Sequence, residues 1–201
     1  MKEVEKLIHD NIEVPFLCEV AGEDSGELIV NTKTEILEPA SSSTINAMED
    51  KLGKFSVEFT TFYKKFGGIS FHEQPEAFAA SLYIHPYEKW EKLYGELMDW
   101  FDLIDEDELE NSGIDWINNC VVFAEIPSSG NYFVMPLTGS NAGKIIYQDH
   151  DGLESNVYAE SFFEFLTKFL SAPVAEIEYF GCYTRYSDGK TDKQWIPVKI
   201  V

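Results

Sequence analysis

Val121-Val122-Phe123-Ala124-Glu125, Asn131-Tyr132-Phe133-Val134-Met135-Pro136-Leu137 and Lys144-Ile145-Ile146-Tyr147-Gln148-Asp149 are three short runs of β-type residues, and they decide the fold class. Ser128-Ser129-Gly130 separates the first two, and Thr138-Gly139-Ser140-Asn141-Ala142-Gly143 the last two. Both separators are rich in residues that tolerate tight turns. From Tyr132 to Leu137 the side chains alternate, with Phe133, Met135 and Leu137 on one side and Tyr132 and Val134 on the other. The stretch closes on Ser161-Phe162-Phe163-Glu164-Phe165-Leu166-Thr167-Lys168-Phe169-Leu170. There Phe162, Phe165, Leu166 and Phe169 recur at helical spacing, and Ser161 with Glu164 forms a capping box. A meander of strands with an aromatic helix laid on it is the nucleus of an α+β domain.

Towards the N-terminus, Val4, Leu7 and Ile8 predict a short amphipathic helix over about residues 2–10. Ile12 to Val20 is apolar but carries Pro15, which points to an extended or edge segment. Residues 21–43 read as an irregular lead-in with β-like pieces at 28–30 and 35–37. Ser43 or Thr44 can cap a helix with Ile45, Met48 and Leu52 on one face, ended by Gly53. A second helix starts near Ser56, carries Phe59, Phe62, Tyr63 and Phe66, and stops at Gly67-Gly68; Ile69-Ser70-Phe71 then opens a strand. Residues 72–118 read as an insertion around an amphipathic helix, in which Trp90, Leu93, Tyr94, Leu97, Met98 and Phe101 share a face. At the C-terminus, 176–179 and 194–201 are predicted as the last strands, with Asp188-Gly189 as a turn between them.

Thirty-six acidic against fifteen basic residues give a formal net charge of −21. Such a chain lacks the clustered Lys and Arg that nucleic-acid phosphates require, and anionic membranes repel it. It suits solubility and fast capture of a basic protein, and equally an acidic but inert cytosolic surface. Met1 to Lys6 is charged rather than signal-like, and no run reaches the eighteen apolar residues of a membrane span. Cys18, Cys120 and Cys182 are odd in number and far apart, which fits reduced thiols and a cytoplasmic location.

The cluster with the most chemical promise is Asp149-His150-Asp151, with Glu154 nearby. On a continued strand, however, Asp149 and Asp151 would share one face while His150 took the other. EF-hand spacing fails as well, because Leu153 and Glu154 stand where a ligand and a glycine are needed. His9, His72 and His85 show no ligand spacing, and no phosphate-binding loop or nucleophile elbow is present. Cys120 beside an apolar run reads as a buried thiol. No cofactor, metal site or catalytic residue is expected.

Three blocks taken in order resemble the SUKH superfamily of bacterial immunity proteins and fungal regulators of cell-wall synthesis. They are Ile45-x-x-Met48-Glu49-x-x-Leu52-Gly53 with Phe59-x-x-Phe62-Tyr63-x-x-Phe66-Gly67-Gly68, then Val121-Val122-Phe123 through Gly130-Asn131-Tyr132-Phe133, then Ile145-Ile146-Tyr147-Gln148-Asp149-His150-Asp151 leading to Ala159-Glu160-Ser161-Phe162-x-x-Phe165-Leu166. The chain departs from the family's pattern at Phe55-Ser56 and Phe66-Gly67, which are turn and cap positions. The resemblance implies helices packed against a curved, mainly antiparallel sheet, for which the runs above supply about five to six strands. One domain over 1–201 is expected, with the resembling core at about 43–170, an inserted helical segment at about 72–118 and a C-terminal extension at 174–201.

The same resemblance implies a non-enzymatic, protein-binding role. The expected function is an immunity protein that neutralises a cognate basic toxin domain, a nuclease being one such target. The alternatives are a regulatory or scaffold module that binds a cellular protein and, from a different class, a metal-dependent hydrolase using Asp149, His150 and Asp151. The expected contact surface is the densest acidic run, Asp105, Glu106, Asp107, Glu108 and Glu110.

Overall fold

The computed structural model describes residues 1–22, 26–102, 114, 116–150, 155–181 and 184–201. In chain order the elements are α1 (Lys2–Asp10), β1 (Glu13–Val20), β2 (Glu27–Ile36), α2 (Ser42–Leu52), α3 (Val57–Phe66), β3 (Ile69–Glu73), β4 (Leu82–Ile84), α4 (Trp90–Phe101), β5 (Cys120–Glu125), β6 (Tyr132–Pro136), β7 (Ile145–Gln148), β8 (Ser155–Ala159), α5 (Phe162–Ser171), α6 (Pro173–Tyr179) and β9 (Trp195–Ile200). The described strands form one open antiparallel sheet in the order β8-β7-β6-β5-β4-β3-β2-β1-β9. Register shifts interrupt the β1–β9, β2–β3, β5–β6 and β7–β8 ladders. Such bulges bend and twist a strand, and so curve the sheet.

The inner face of the sheet carries the main core. Phe59, Phe62 and Tyr63 of α3 and Phe162, Phe165, Leu166 and Phe169 of α5 are buried against Phe71, Leu82, Phe123 and Phe133 of the strands. Each such side chain contributes roughly 1.5–3 kcal/mol of transfer free energy, so these two helices are fixed chiefly by tertiary packing. A second inner-face cluster, with Phe16, Cys18, Val30, Tyr186 and Trp195, continues beneath β1, β2 and β9. The outer face is covered only in part. There α4 lays Leu93, Leu97 and Phe101 over Val122, Val134 and Ile146 of β5, β6 and β7, together with Trp116 and Ile117.

The helix ends follow their caps. Ser56 accepts from Phe59 N at 3.2 Å to start α3, and Ser161 accepts from Glu164 N at 3.3 Å to start α5. Glu164 Oε2 reaches back one residue beyond the cap, to Glu160 N at 2.9 Å. Helix α2 is capped by Ser41, two residues earlier than expected, and Ser41 Oγ also bonds the Ser43 and Thr44 hydroxyls, each at 2.8 Å.

Nine strands exceed the five or six expected, for identifiable reasons. Residues 27–36 form one ten-residue strand, which the sequence conceals because Thr32 and Thr34 take inward positions where apolar residues would have signalled it. Their hydroxyls are satisfied by Val14 O at 2.7 Å and Asn11 O at 2.5 Å. β1 is flanked on both sides, and the carbonyl of its Pro15 accepts from Val201 N, one residue past β9. The proline nitrogen faces the same side, past the last β1–β9 register pair, Phe16 with Ile200. β4 has only three residues, too few to show a period. Residues 176–179 are helical rather than extended: Pro173 takes the first turn of α6, where its missing N–H is harmless. Ile177 and Phe180 are then buried.

Candidate functional site

Asp149 and His150 lie just past the end of β7, which stops at Gln148. Both the backbone N and the ring Nδ1 of His150 donate to Asn131 Oδ1, at 3.0 and 2.7 Å, while Asn131 Nδ2 donates to the Tyr147 hydroxyl. Gly130 makes room for this arrangement: at φ +80° a Cβ there would lie 3.3 Å from His150 Cγ. Asp149 Oδ1 is 3.8 Å from His150 Nδ1. The imidazole is thus held by a side-chain network at a strand end. Asp151 and Glu154 lie outside the described residues, as does the acidic run Asp105, Glu106, Asp107, Glu108 and Glu110. Among the described residues, no three His, Cys, Asp or Glu side chains are grouped to hold a metal ion.

A cluster with catalytic potential around His72 is sealed in the interior. His72 is fully buried, with Nε2 2.8 Å from Asn11 Oδ1 and Nδ1 2.6 Å from Ser81 Oγ. Asn11 Nδ2 already donates to Leu7 O and Leu170 O, so Asn11 Oδ1 is the acceptor and Nε2 carries the proton. Nδ1 then accepts from the Ser81 hydroxyl. Burial pulls the His72 pKa down to about 3, and the ring stays neutral. Ser81 is itself fully buried, so this Ser-His-Asn triplet meets no solvent. Burial likewise pushes the Cys18 and Cys120 thiols up to about 12, far from thiolate reactivity at neutral pH.

Cys120 lines a cleft of about 480 Å³ with Met48, Leu52, Trp90, Tyr94 and Val121. Its size and mostly apolar walls, with Asn118 and Asn119 as polar groups, are those of a ligand-sized pocket. The nearby charges, Lys51 and Glu91, pair with each other at 3.1 Å.

The outer face is chemically richer. Successive strand registers place Glu35, Ser70, Tyr83, Glu125, Tyr132, Gln148 and Ser155 in one row across β2 to β8. His85 Nε2 lies 2.8 Å from Glu125 Oε1. Tyr132 Oη donates to Glu96 Oε2 at 3.1 Å while Lys92 Nζ donates to Glu96 Oε1 at 2.6 Å. Trp100 of α4 stacks on Tyr132 with ring centroids 5.1 Å apart. The Lys92 contact holds the Glu96 carboxyl below its usual range, and burial with nearby Glu96 and Glu125 raises the Tyr132 hydroxyl. This half of the row is paired and covered by α4. Over β2, β1 and β9 the outer face is open to solvent. Sequence reading does not find the row, because its seven members come from seven strands and only the hydrogen-bond register joins them.

Residues 39–168, about two thirds of the chain, match the family model described as SMI1 / KNR4 family (SUKH-1). No curated protein matches the chain.

Proposed function

Because the chain belongs to the SMI1 / KNR4 family (SUKH-1), we propose that it is an immunity protein that binds and neutralises a basic toxin domain. Membership supports a protein-binding role in immunity or regulation, in a family whose domains are generally non-enzymatic. The observation that carries the finer reading is charge: −21 overall, with the outer sheet face left open over β2, β1 and β9. Opposite charge on a partner speeds encounter by roughly 10- to 10³-fold at low salt. A nuclease domain, built to hold phosphates, would present such charge. No helix among the described residues is long and apolar enough to cross a membrane, and a cytoplasmic location is part of the proposal.

We keep the acidic run Asp105, Glu106, Asp107, Glu108 and Glu110 as a contact that steers the partner in. The test is a pull-down and stopped-flow measurement with the purified product of the adjacent gene. A complex should form at low salt, and its association rate should fall about tenfold or more as NaCl rises from 50 to 500 mM. Replacing the run by lysines should slow association without unfolding the chain; an unchanged rate moves the contact elsewhere. No complex at low salt sinks the toxin-binding reading. The regulatory side of the family supports the second reading, a cellular protein as partner, which a gene with no toxin-like neighbour would favour.

A further inference from the structure

The open part of the outer face holds an arrangement that the fold itself does not use. On β1 and β2 the outward side chains stand in register: Glu13 opposite Lys33, Pro15 opposite Asn31, Leu17 opposite Ile29, Glu19 opposite Glu27. Across the other edge of β1, Ile196 faces Glu19 and Lys199 faces Leu17. The alternate residues, such as Phe16, Cys18, Val30 and Thr32, are buried, whereas every outward side chain just named is exposed or half-buried. No described helix covers these strands on that side.

The composition of this surface is unusual in two ways. At its centre Ile29 is 58% exposed although it sits in mid-strand beside Leu17. At its margins, like charges are set against each other. Glu19 and Glu27 are direct cross-strand neighbours, a placement that destabilises a sheet, and neither forms an ion pair among the described residues. Towards the other end, burial and then nearby Glu35 disfavour ionisation of Glu73, against the opposing pull of Ser70 and of its cross-strand neighbour Lys33. A sheet selected only for stability would place polar neutral residues or lysines at these positions.

We propose that this face is a docking surface for a basic protein, with Leu17 and Ile29 as its apolar centre and Glu19, Glu27, Glu35 and Glu73 as the carboxylates that receive the partner's lysine or arginine side chains. An apolar centre inside a charged rim is the usual anatomy of a protein interface, and cations from a partner relieve the repulsion that the free chain carries. Charge rules out the other occupants. A second copy would set two surfaces of the same sign together, each on a chain of net charge −21. Nucleic acid and anionic lipid share that sign. The proposal rests on the toxin-binding reading and names the face that performs it.

The experiment uses the full chain, the purified product of the adjacent gene, and three variants. Ile29→Ser should weaken the complex roughly tenfold by removing the apolar centre. Glu19→Gln with Glu27→Gln should slow association several-fold while leaving the melting temperature equal or higher, since it removes a repulsion. Lys199→Glu, at an exposed strand position, should speed association about two- to threefold. If the parent chain binds while all three variants match it, the docking face is refuted and the toxin-binding reading stands. If the glutamine pair lowers the melting temperature, those carboxylates are structural and the proposal fails. If the parent chain does not bind at low salt, both readings fall together.

Discussion

His72 shows how a single buried group ties stability to pH. Its folded pKa, pulled down to about 3 by burial, lies below the ordinary value near 6.5. Between those values the unfolded chain binds a proton that the folded chain refuses. Stability from this group is therefore fully present above about pH 6.5 and is lost as pH falls towards 3, at up to about 1.4 kcal/mol per pH unit. His72→Asn suits the left-handed backbone at this position, φ +52°, and removes the titration. Urea unfolding of both proteins between pH 7 and 4 should give a shallower pH dependence for the variant by about one proton; equal slopes would show that His72 is not the responsible group. In the sequence His72 offers only the absence of ligand spacing. Its partners Asn11 and Ser81 are joined to it by the β3–β4 turn and the end of α1, which no local pattern encodes.

At the scale of elements, two glycines of similar backbone conformation have different roles. Gly67 ends α3 at φ +67°, and a Cβ there would lie 1.8 Å from the backbone oxygen of Glu38. At Gly143, φ +80° in the turn before β7, a Cβ would meet nothing within 4 Å. Gly67→Ala should cost about 3 kcal/mol or more, from left-handed strain plus a clash with backbone that cannot yield. Gly143→Ala should cost only about 1 kcal/mol, from strain alone. Denaturant midpoints of the two variants measure the difference, and similar losses would contradict the close approach of α3 to the β2–α2 link. The stop at Gly67-Gly68 is legible in the sequence, as are α1, α3, α5 and the strands β5 to β7, because their apolar periods are clean. β2 is hidden by its inward threonines, β4 by its brevity, and α6 by a run short enough to pass for a strand. The outer face is hidden for a deeper reason: Glu19 and Glu27 become neighbours only through the β1–β2 register, and the row from Glu35 to Ser155 only through six ladders.

For the whole molecule the governing quantity is the surplus of carboxylates. With thirty-six acidic and fifteen basic residues, at least twenty-one carboxylates have no lysine or arginine of their own. The ion pairs that do form, such as Lys6–Asp10, Lys51–Glu91 and Lys92–Glu96, are exposed and each worth little. Net repulsion should therefore outweigh local attraction, and screening should strengthen the fold. As the Debye length shrinks from roughly 30 Å at 0.01 M salt to roughly 3 Å at 1 M, the melting temperature in sodium chloride should rise. A gain of about 1 kcal/mol corresponds to roughly 2–4 °C for a chain of this size. The same salt should slow capture of a basic partner, because the field that strains the free chain is the field that steers the encounter. Opposite responses of stability and association rate to one variable are the signature of charge retained for binding. A melting temperature that falls with added chloride would mean that the exposed ion pairs dominate, and would remove the electrostatic basis for the acidic docking face.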